Sequence, residues 1–391
     1  MKILHTVESY YPAIGGMQEV VKQLSERLVK LGHHVTVATS KHTERNFHQL
    51  NGVEIKEFSV KGNSVLGFEG NPATYKDYLL QSDFDVMTFF AAQQWACDIA
   101  LPILDKLKSK KVFVPTGFSG FYNPVYKEYF EKMKTWMKKF DMNIFLSDNY
   151  RDINFAKENG VTKTILIPNG AALDEFLTEN KIDIRKNFKI GKNDFLILHV
   201  GSYTTHKGHN EAVEIFLRSK IKNATLLMIG NRYEDFQKQY YRKPLLGLLK
   251  CSKLFSSKKI IFTYIPRDET VAAYLAADLF LFPSFIECSP IVLFEAMASQ
   301  TPFLVTDVGN SSEIVRWSNG GLVLPTVIDE QGMSHAKISE SVEMLNDLCK
   351  QREKLKHLAD AGFEAWQKNY TWEIISKKYE SLYENLLTQT L

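Results

Sequence analysis

The chain has 391 residues, of which 45% are apolar and 24% charged. That is the balance of a folded globular protein, and the length calls for two or three domains rather than one core. A net charge of +3 gives no global field for nucleic acid, and four cysteines (Cys97, Cys251, Cys288, Cys349) without a CxxC pair argue against a zinc ribbon and for reduced thiols.

In chain order, β-rich runs alternate with amphipathic ones. The opening run Lys2–Val7 reads as a strand rather than a leader peptide. It is followed by a helix over Met17–Leu31, where Val20, Val21, Leu24, Leu28 and Leu31 recur at helical spacing and Gly32 stands as the stop. Further strands are expected at His34–Thr39, Val53–Phe58, Asp85–Phe90, Lys111–Val114, Met142–Leu146 and Thr164–Ile167. The pattern pauses at Ile167-Pro168-Asn169-Gly170 and restarts with strands at Asp194–Val200, Thr225–Ile229, Ile260–Thr263, Leu279–Phe282, Pro302–Thr306 and Gly321–Leu324. From Ser334 to Leu391 the chain reads as helical, its last helix near Trp372–Leu387 carrying Ile375, Tyr379, Leu382 and Tyr383 on one stripe. Two strand–helix series imply an α/β protein of two parallel-sheet, Rossmann-like domains, 1–170 and 171–370, facing across a cleft, with residues 371–391 returning to the first. The most apolar stretch, Leu279 to Ala298, is broken by Pro283, Glu287 and Pro290 and makes a poor membrane span.

The segment Pro283-Ser284-Phe285-Ile286-Glu287-Cys288-Ser289-Pro290-Ile291-Val292-Leu293-Phe294-Glu295 holds the densest chemistry. A buried strand ends at Phe282, and a helix is expected to open at Ser289-Pro290, with Ser289 as N-cap and Pro290 at the first helical position. The amides of Ile291 and Val292 then lack intrahelical acceptors and, with the positive end of the dipole, suit a diphosphate. Glu295 lies one turn deeper on the face of Ile291, where a carboxylate can accept both hydrogen bonds of a ribose diol; Glu287 precedes the helix and would reach a sugar on the diphosphate. The plainer alternative is a first-turn glutamate that complements the dipole, but a capping box would need its acid at Val292. Lys207 follows the strand Asp194–Val200 and its loop, well placed to put an ammonium on a leaving diphosphate, although a loop lysine taken alone is usually just solvated. Gly15-Gly16, between the first strand and helix, would allow positive φ and close approach of a ligand, or form a tight turn only.

Two glutamates separated by seven residues, then Ala296-Met297-Ala298, Pro302 and Thr306-Asp307-Val308-Gly309, resemble the donor site of the retaining family-4 glycosyltransferases (glycosyl transferases group 1) of GT-B fold. Gly15-Gly16, Leu31-Gly32-His33-His34-Val35, Ile167-Pro168-Asn169-Gly170, His199-Val200-Gly201 and Lys207-Gly208 fall in the family's order, so the resemblance spans nearly the whole chain. It implies a nucleotide diphosphate sugar as substrate and no cofactor. Glu295 would bind the ribose, Glu287 the donor sugar, and the amides of Ile291 and Val292 the diphosphate. It also implies front-face transfer to a glycan or lipid-linked acceptor, in the cytoplasm or at the inner face of the cell membrane, typically in bacterial surface polysaccharide synthesis.

This sequence departs from the family at two points. Ser202 stands where the family usually has an arginine, and the stretch Val112–Phe118 puts Thr116 where a histidine often contacts the donor sugar. Either Thr116 or the backbone takes that contact, or the alignment slips, or catalysis is impaired. A non-catalytic partner subunit and a sugar-nucleotide epimerase therefore stay open, while a nicotinamide enzyme lacks its GxGxxG. Asp83-Phe84-Asp85 matches the DxD of metal-dependent transferases but precedes its strand, at the end where ligands do not bind, so no metal is expected. Two basic stretches, Tyr126–Phe140 and Lys238–Lys259, suit an anionic membrane surface; for the first a core-facing helix with a solvated lysine face is favoured, and the second could equally face phosphate or solvent.

Overall fold

The computed structural model describes residues 1–179, 182–231 and 257–388. The chain divides into two compact units: Met1–Asn169 together with the segment from Trp372, and Gly170–Thr371.

The first unit holds an eight-stranded sheet. Its strands are β1 (Lys2–Thr6), β2 (His34–Ser40), β3 (Gln49–Leu50), β4 (Val53–Phe58), β7 (Val86–Phe90), β8 (Lys110–Val114), β9 (Met142–Phe145) and β10 (Thr164–Leu166), with β5 (Val60–Asn63) and β6 (Gly67–Gly70) forming a separate antiparallel hairpin. The order is β10-β9-β8-β7-β1-β2-β4-β3, and only β3–β4 is antiparallel. From β1 the chain winds outward through β2 to one side, then returns to lay β7 on the other. The order therefore reverses between β1 and β7, and the crevice outside the carboxyl ends of those strands is where doubly wound sheets take ligands.

The helix from Trp372 belongs to this unit because its apolar stripe and three polar anchors meet the first strand and helix. His5, buried in β1, bonds Ser25 Oγ through Nδ1 (2.8 Å) and Tyr383 through Nε2 (3.3 Å). Arg27 pairs with Glu373 and His33 with Glu380, each at 2.8 Å. Burial without a charged partner lowers the His5 pKa to about 3, so the ring is a neutral strut.

The second unit holds a six-stranded, all-parallel sheet: β11 (Phe195–Val200), β12 (Ala224–Ile229), β13 (Lys258–Thr263), β14 (Leu279–Phe282), β15 (Phe303–Val305) and β16 (Gly321–Val323), in the order β13-β12-β11-β14-β15-β16. Alternate residues of each strand serve opposite faces. Leu196, Leu198, Phe280, Phe282, Phe303 and Val305 join one apolar cluster, whereas Phe195, Ile197, Leu279, Leu281 and Leu304 join the other. Both faces are covered, which is why these strands read as continuous apolar runs. The winding reverses between β11 and β14.

Several expectations need correcting. Ser334–Ala336 is not helical; it forms β18, an antiparallel partner of β17 (Thr326–Ile328), and helix begins at Ile338. The hairpin β5–β6 was not read from the sequence at all, since Val60–Asn63 and Gly67–Gly70 carry three glycines at positive φ (Gly62, Gly67 and Gly70) and little apolar alternation. The first basic stretch keeps to the favoured reading: its helix, Lys127–Lys139, turns Tyr129, Phe130, Met133 and Met137 into the core, with Lys132 and Lys134 pairing acids on its outer face. Most of Lys238–Lys259 lies outside the described residues. Of its last lysines, Lys258 turns inward: its Nζ donates to the carbonyls of Phe216 and Ser219 (both 2.6 Å), capping the helix His209–Arg218, and burial lowers its pKa to about 8. Lys259 Nζ donates to the Phe188 carbonyl at 2.5 Å. Among the described residues, no helix is long and apolar enough to cross a membrane.

Candidate donor site at the switch point of the second sheet

Two loops leave the carboxyl ends of the strands that flank the reversal, Gly201–Gly208 after β11 and Pro283–Pro290 after β14. They are stitched together by backbone. Phe285 N–H donates to the His206 carbonyl (2.8 Å), and Ser284 Oγ lies 3.0 Å from the same oxygen. Gly208 makes the crossing possible. Its φ is +67°, and a Cβ there would lie 1.8 Å from the Pro283 carbonyl oxygen. A third loop, after β15, holds the second from its other side: Thr306 Oγ1 donates to the Ser284 carbonyl (2.6 Å), and Asn310 N–H donates to the Cys288 carbonyl (2.9 Å). Gly309, at φ +56°, would place a Cβ 2.5 Å from that Cys288 oxygen. The glycines of the Lys207-Gly208 and Thr306–Gly309 segments are thus needed for loop-on-loop contact and for backbone conformation.

This framework brings Lys207 and Glu287, eighty positions apart, into contact: Nζ lies 2.5 Å from Oε1, and Ser284 Oγ donates to the same carboxylate oxygen at 2.8 Å. Both side chains are mostly covered, Lys207 retaining 28% exposure and Glu287 11%. The ammonium also lies 5.9 Å over the Phe282 ring. Ser202 sits half-buried in the same loop, its carbonyl accepting from Thr204 N–H at 2.6 Å.

The helix after the second loop runs over Ile291–Ala298, one residue later than expected. Pro290 is the cap residue, and Ser289 does not cap the helix; its Oγ accepts from Asn310 Nδ2 at 3.2 Å. The correction leaves Ile291 and Val292 as the first two helical amides, without intrahelical acceptors, at the positive end of the dipole. Glu295 lies one turn in and is 3% exposed. Its Oε1 is 2.6 Å from Nη1 of Arg267, a residue sequence reasoning passed over. Nearby, burial and the Glu295 carboxylate push the Tyr274 hydroxyl well above its ordinary pKa.

Behind the first loop, His199 and His209 pack edge to face at 4.6 Å. His199 Nδ1 is bonded to the Leu281 carbonyl at 2.9 Å, and burial lowers both rings, His209 to about 4. They are neutral packing groups under the lysine loop, so they add no charge there.

The remaining predicted residues lie in the first unit. Gly15 is extended (φ 175°) and caps the helix Gly16–Lys30, so neither glycine uses a positive φ. A Cβ at Gly15 would meet the flexible Gln18 side chain at 2.4 Å, and one at Gly16 would meet nothing within 4 Å. Open space at the helix start is therefore offered by Gly16, while Gly15 lies against the Gln18 side chain. Thr116, just beyond β8, is left-handed at φ 59°, followed by Gly117 at 91° and Phe118 at 51°. The turn is held by Asp152, which accepts from Gly117 N–H at 2.8 Å. Non-glycine residues held at positive φ store strain, a feature concentrated at functional sites. Asp83 and Asp85 are spent at the opposite edge on the side chain and backbone N–H of Lys2 (2.5 and 2.7 Å).

The profile described as "Glycosyl transferases group 1" matches residues 180–361, and that of "Glycosyltransferase Family 4" matches residues 14–175. The chain belongs to the family-4 glycosyltransferases. An uncharacterised glycosyltransferase of Methanocaldococcus jannaschii is 25% identical over 98% of either chain. The phosphatidylinositol N-acetylglucosaminyltransferase GPI3 subunit of Saccharomyces cerevisiae is 21% identical over 96% of this chain and 81% of its own. Among solved structures, sucrose-phosphate synthase from Thermosynechococcus elongatus superposes over the full length of both chains with a TM-score of 0.78 at 18% identity. HepE of Anabaena, in a structure with UDP, gives 0.74 at 15% identity over 98% of this chain and all of its own. These likenesses establish the GT-B fold for this glycosyltransferase family member.

Proposed function

We propose that the protein is a retaining, metal-independent glycosyltransferase. It moves a sugar from a nucleotide diphosphate donor, held on the second unit, to a glycan or lipid-linked acceptor met by the first. The observation that carries the reading is the convergence at the β11–β14 switch point of Lys207, Glu287 and the open amides of Ile291 and Val292, with Glu295 one turn deeper. That set matches a sugar diphosphate part by part: amides and ammonium for the phosphates, Glu287 for sugar hydroxyls, Glu295 for the ribose diol. Ser202 and Thr116 add hydrogen-bonding groups where the family more often places charged or imidazole side chains, and Gly15-Gly16 leaves room for the donor's phosphates or the acceptor.

In the proposed step the bond from the sugar's anomeric carbon to the phosphate oxygen breaks, and the acceptor oxygen bonds that carbon on the same face. The acceptor proton passes to the departing diphosphate. The enzyme's share is positioning and charge neutralisation, Lys207 and the helix amides stabilising the negative charge that grows on the leaving group. Those groups supply the positive charge that other transferases take from a metal. A capsular polysaccharide biosynthesis glycosyltransferase of Staphylococcus aureus and the phosphatidylinositol N-acetylglucosaminyltransferase GPI3 subunit of yeast, both similar to this chain, support a surface-glycan or lipid-linked acceptor.

The test is a thermal-shift panel of UDP-, GDP- and ADP-sugars on the wild type and Glu295→Ala. A ligand that binds only the folded state raises the melting temperature. One donor should stabilise the wild type and lose most of that shift in the variant. If no nucleotide sugar shifts the wild type, the donor reading fails.

A further inference from the structure

Arg267 stands at the first position of the helix Arg267–Ala276, where the dipole disfavours a cation and where Asp268 and Glu269 follow as the expected acids. Its placement needs another cause. The guanidinium spans two carboxylates: Nη1 lies 2.6 Å from Glu295 Oε1, Nη2 lies 2.6 Å from Glu175 Oε2, and Nε lies 3.3 Å from Glu175 Oε1. The group also lies 5.9 Å over the Phe176 ring. Glu175 and the ring come from the short helix Leu173–Phe176, so three separate segments are fixed around one fork.

Glu295 needs that partner. A carboxylate as buried as this one, left without a counter-charge, takes up a proton and loses acceptor capacity. An ionised carboxylate offers about four lone-pair directions, enough to accept from a guanidinium N–H and from the hydroxyls of a diol together. The bidentate grip on Glu175 holds the guanidinium in plane, and the guanidinium in turn holds the rotamer of Glu295.

We propose that Arg267 is a positioning residue for the donor's ribose: it keeps Glu295 ionised and aimed, and so sets the preference for ribo- over 2′-deoxyribonucleotides. This rests on the donor-site reading above and extends it to a residue outside the family motif. The role differs from plain structural support in what it predicts. A structural defect weakens every ligand alike, whereas a misplaced Glu295 costs affinity only where hydroxyls are offered to it.

The experiment is calorimetric titration of the full chain with UDP, GDP and ADP, and with their 2′-deoxy counterparts, for wild type, Arg267→Gln and Arg267→Lys. The wild type should favour the ribonucleotide of its preferred base by tenfold or more. Arg267→Gln, which is shorter and keeps a hydrogen-bond donor but neither the charge nor the fork, should lose most of that ratio by weakening the ribonucleotide, with the deoxynucleotide nearly unchanged. Arg267→Lys should retain a clear part of it. If Arg267→Gln keeps the wild-type ratio, or weakens both nucleotides equally, the assignment is overturned and the donor site stands. If the wild type binds none of the nucleotides, the donor reading itself falls.

Discussion

The two units are wound alike, yet their switch points are furnished differently. Outside β11 and β14 in the second unit lie a lysine–carboxylate pair, a buried glutamate and its arginine partner. Around β1, β7 and β8 in the first unit, the loops carry left-handed residues (Ala91, Gln93, Thr116, Phe118) and exposed apolar ones (Tyr11, Ile14, Tyr122, Val125). Fixed charges in a covered loop serve a ligand whose own charge is constant, as a diphosphate is. Shaped backbone and exposed apolar side chains suit a partner recognised by contour and surface, such as the glycan or lipid-linked acceptor proposed above. Under the proposed function, the same topology supports two kinds of recognition, because loops differ while strands do not.

The largest expected effect probes that contrast directly. Lys207→Ala should lower kcat by roughly a hundredfold to a thousandfold, the cost of removing one preorganised charge from a leaving group. Thr116→Ala, which removes a hydroxyl and a methyl but no charge and keeps the left-handed backbone demand, should lose about tenfold or less. Equal losses in donor-turnover kinetics would break the division of labour between charged and shaped sites.

Next in size is a pair of glycine substitutions. Gly208→Ala drives a Cβ into the Pro283 carbonyl from a positive φ and should cost about 2 kcal/mol or more, read as a lowered urea midpoint. Gly16→Ala meets open space inside a helix and should leave stability equal or raise it by about 0.5–1 kcal/mol. A loss of turnover in that stable Gly16 variant would sharpen the picture, showing that a ligand approaches the backbone there.

The smallest effect at neutral pH is an acid one. The folded protein holds His5 near 3 and His209 near 4, below the ordinary value of 6.5. The unfolded chain therefore binds protons there that the folded chain refuses, and stability present above pH 6.5 drains away as pH falls toward 4 and then 3. His209→Gln should flatten the upper part of that slope in acid-unfolding curves and leave the His5 part in the first unit intact.

Most of the strands were legible because buried parallel strands must be apolar on both faces, as in Phe195–Val200 and Leu279–Phe282. Glu287, Glu295 and Lys207 were legible because each follows a strand end or opens a helix, a local feature. Ser289 was misread as a cap: its serine–proline order fits one, but the Thr306–Gly309 loop, which leads into Asn310, takes its hydroxyl instead. Arg267 gave no signal, since an arginine after Pro266 looks solvated until Glu295 arrives beside it. The hairpin β17–β18 was lost to the helical reading of the segment after it.

By itself, the amino-acid sequence determined the alternation of strands and helices, the reversal-bearing α/β class and the chemical types available at the strand ends. These follow from periodicity and from backbone rules that act within a few residues. Only the tertiary structure decided which of those groups meet: Lys207 with Glu287 through the Gly208 crossing, and Glu295 with Arg267 across two helices. Charge pairing at 2.5 Å depends on how loops from distant strands are stacked, and no local pattern encodes that distance.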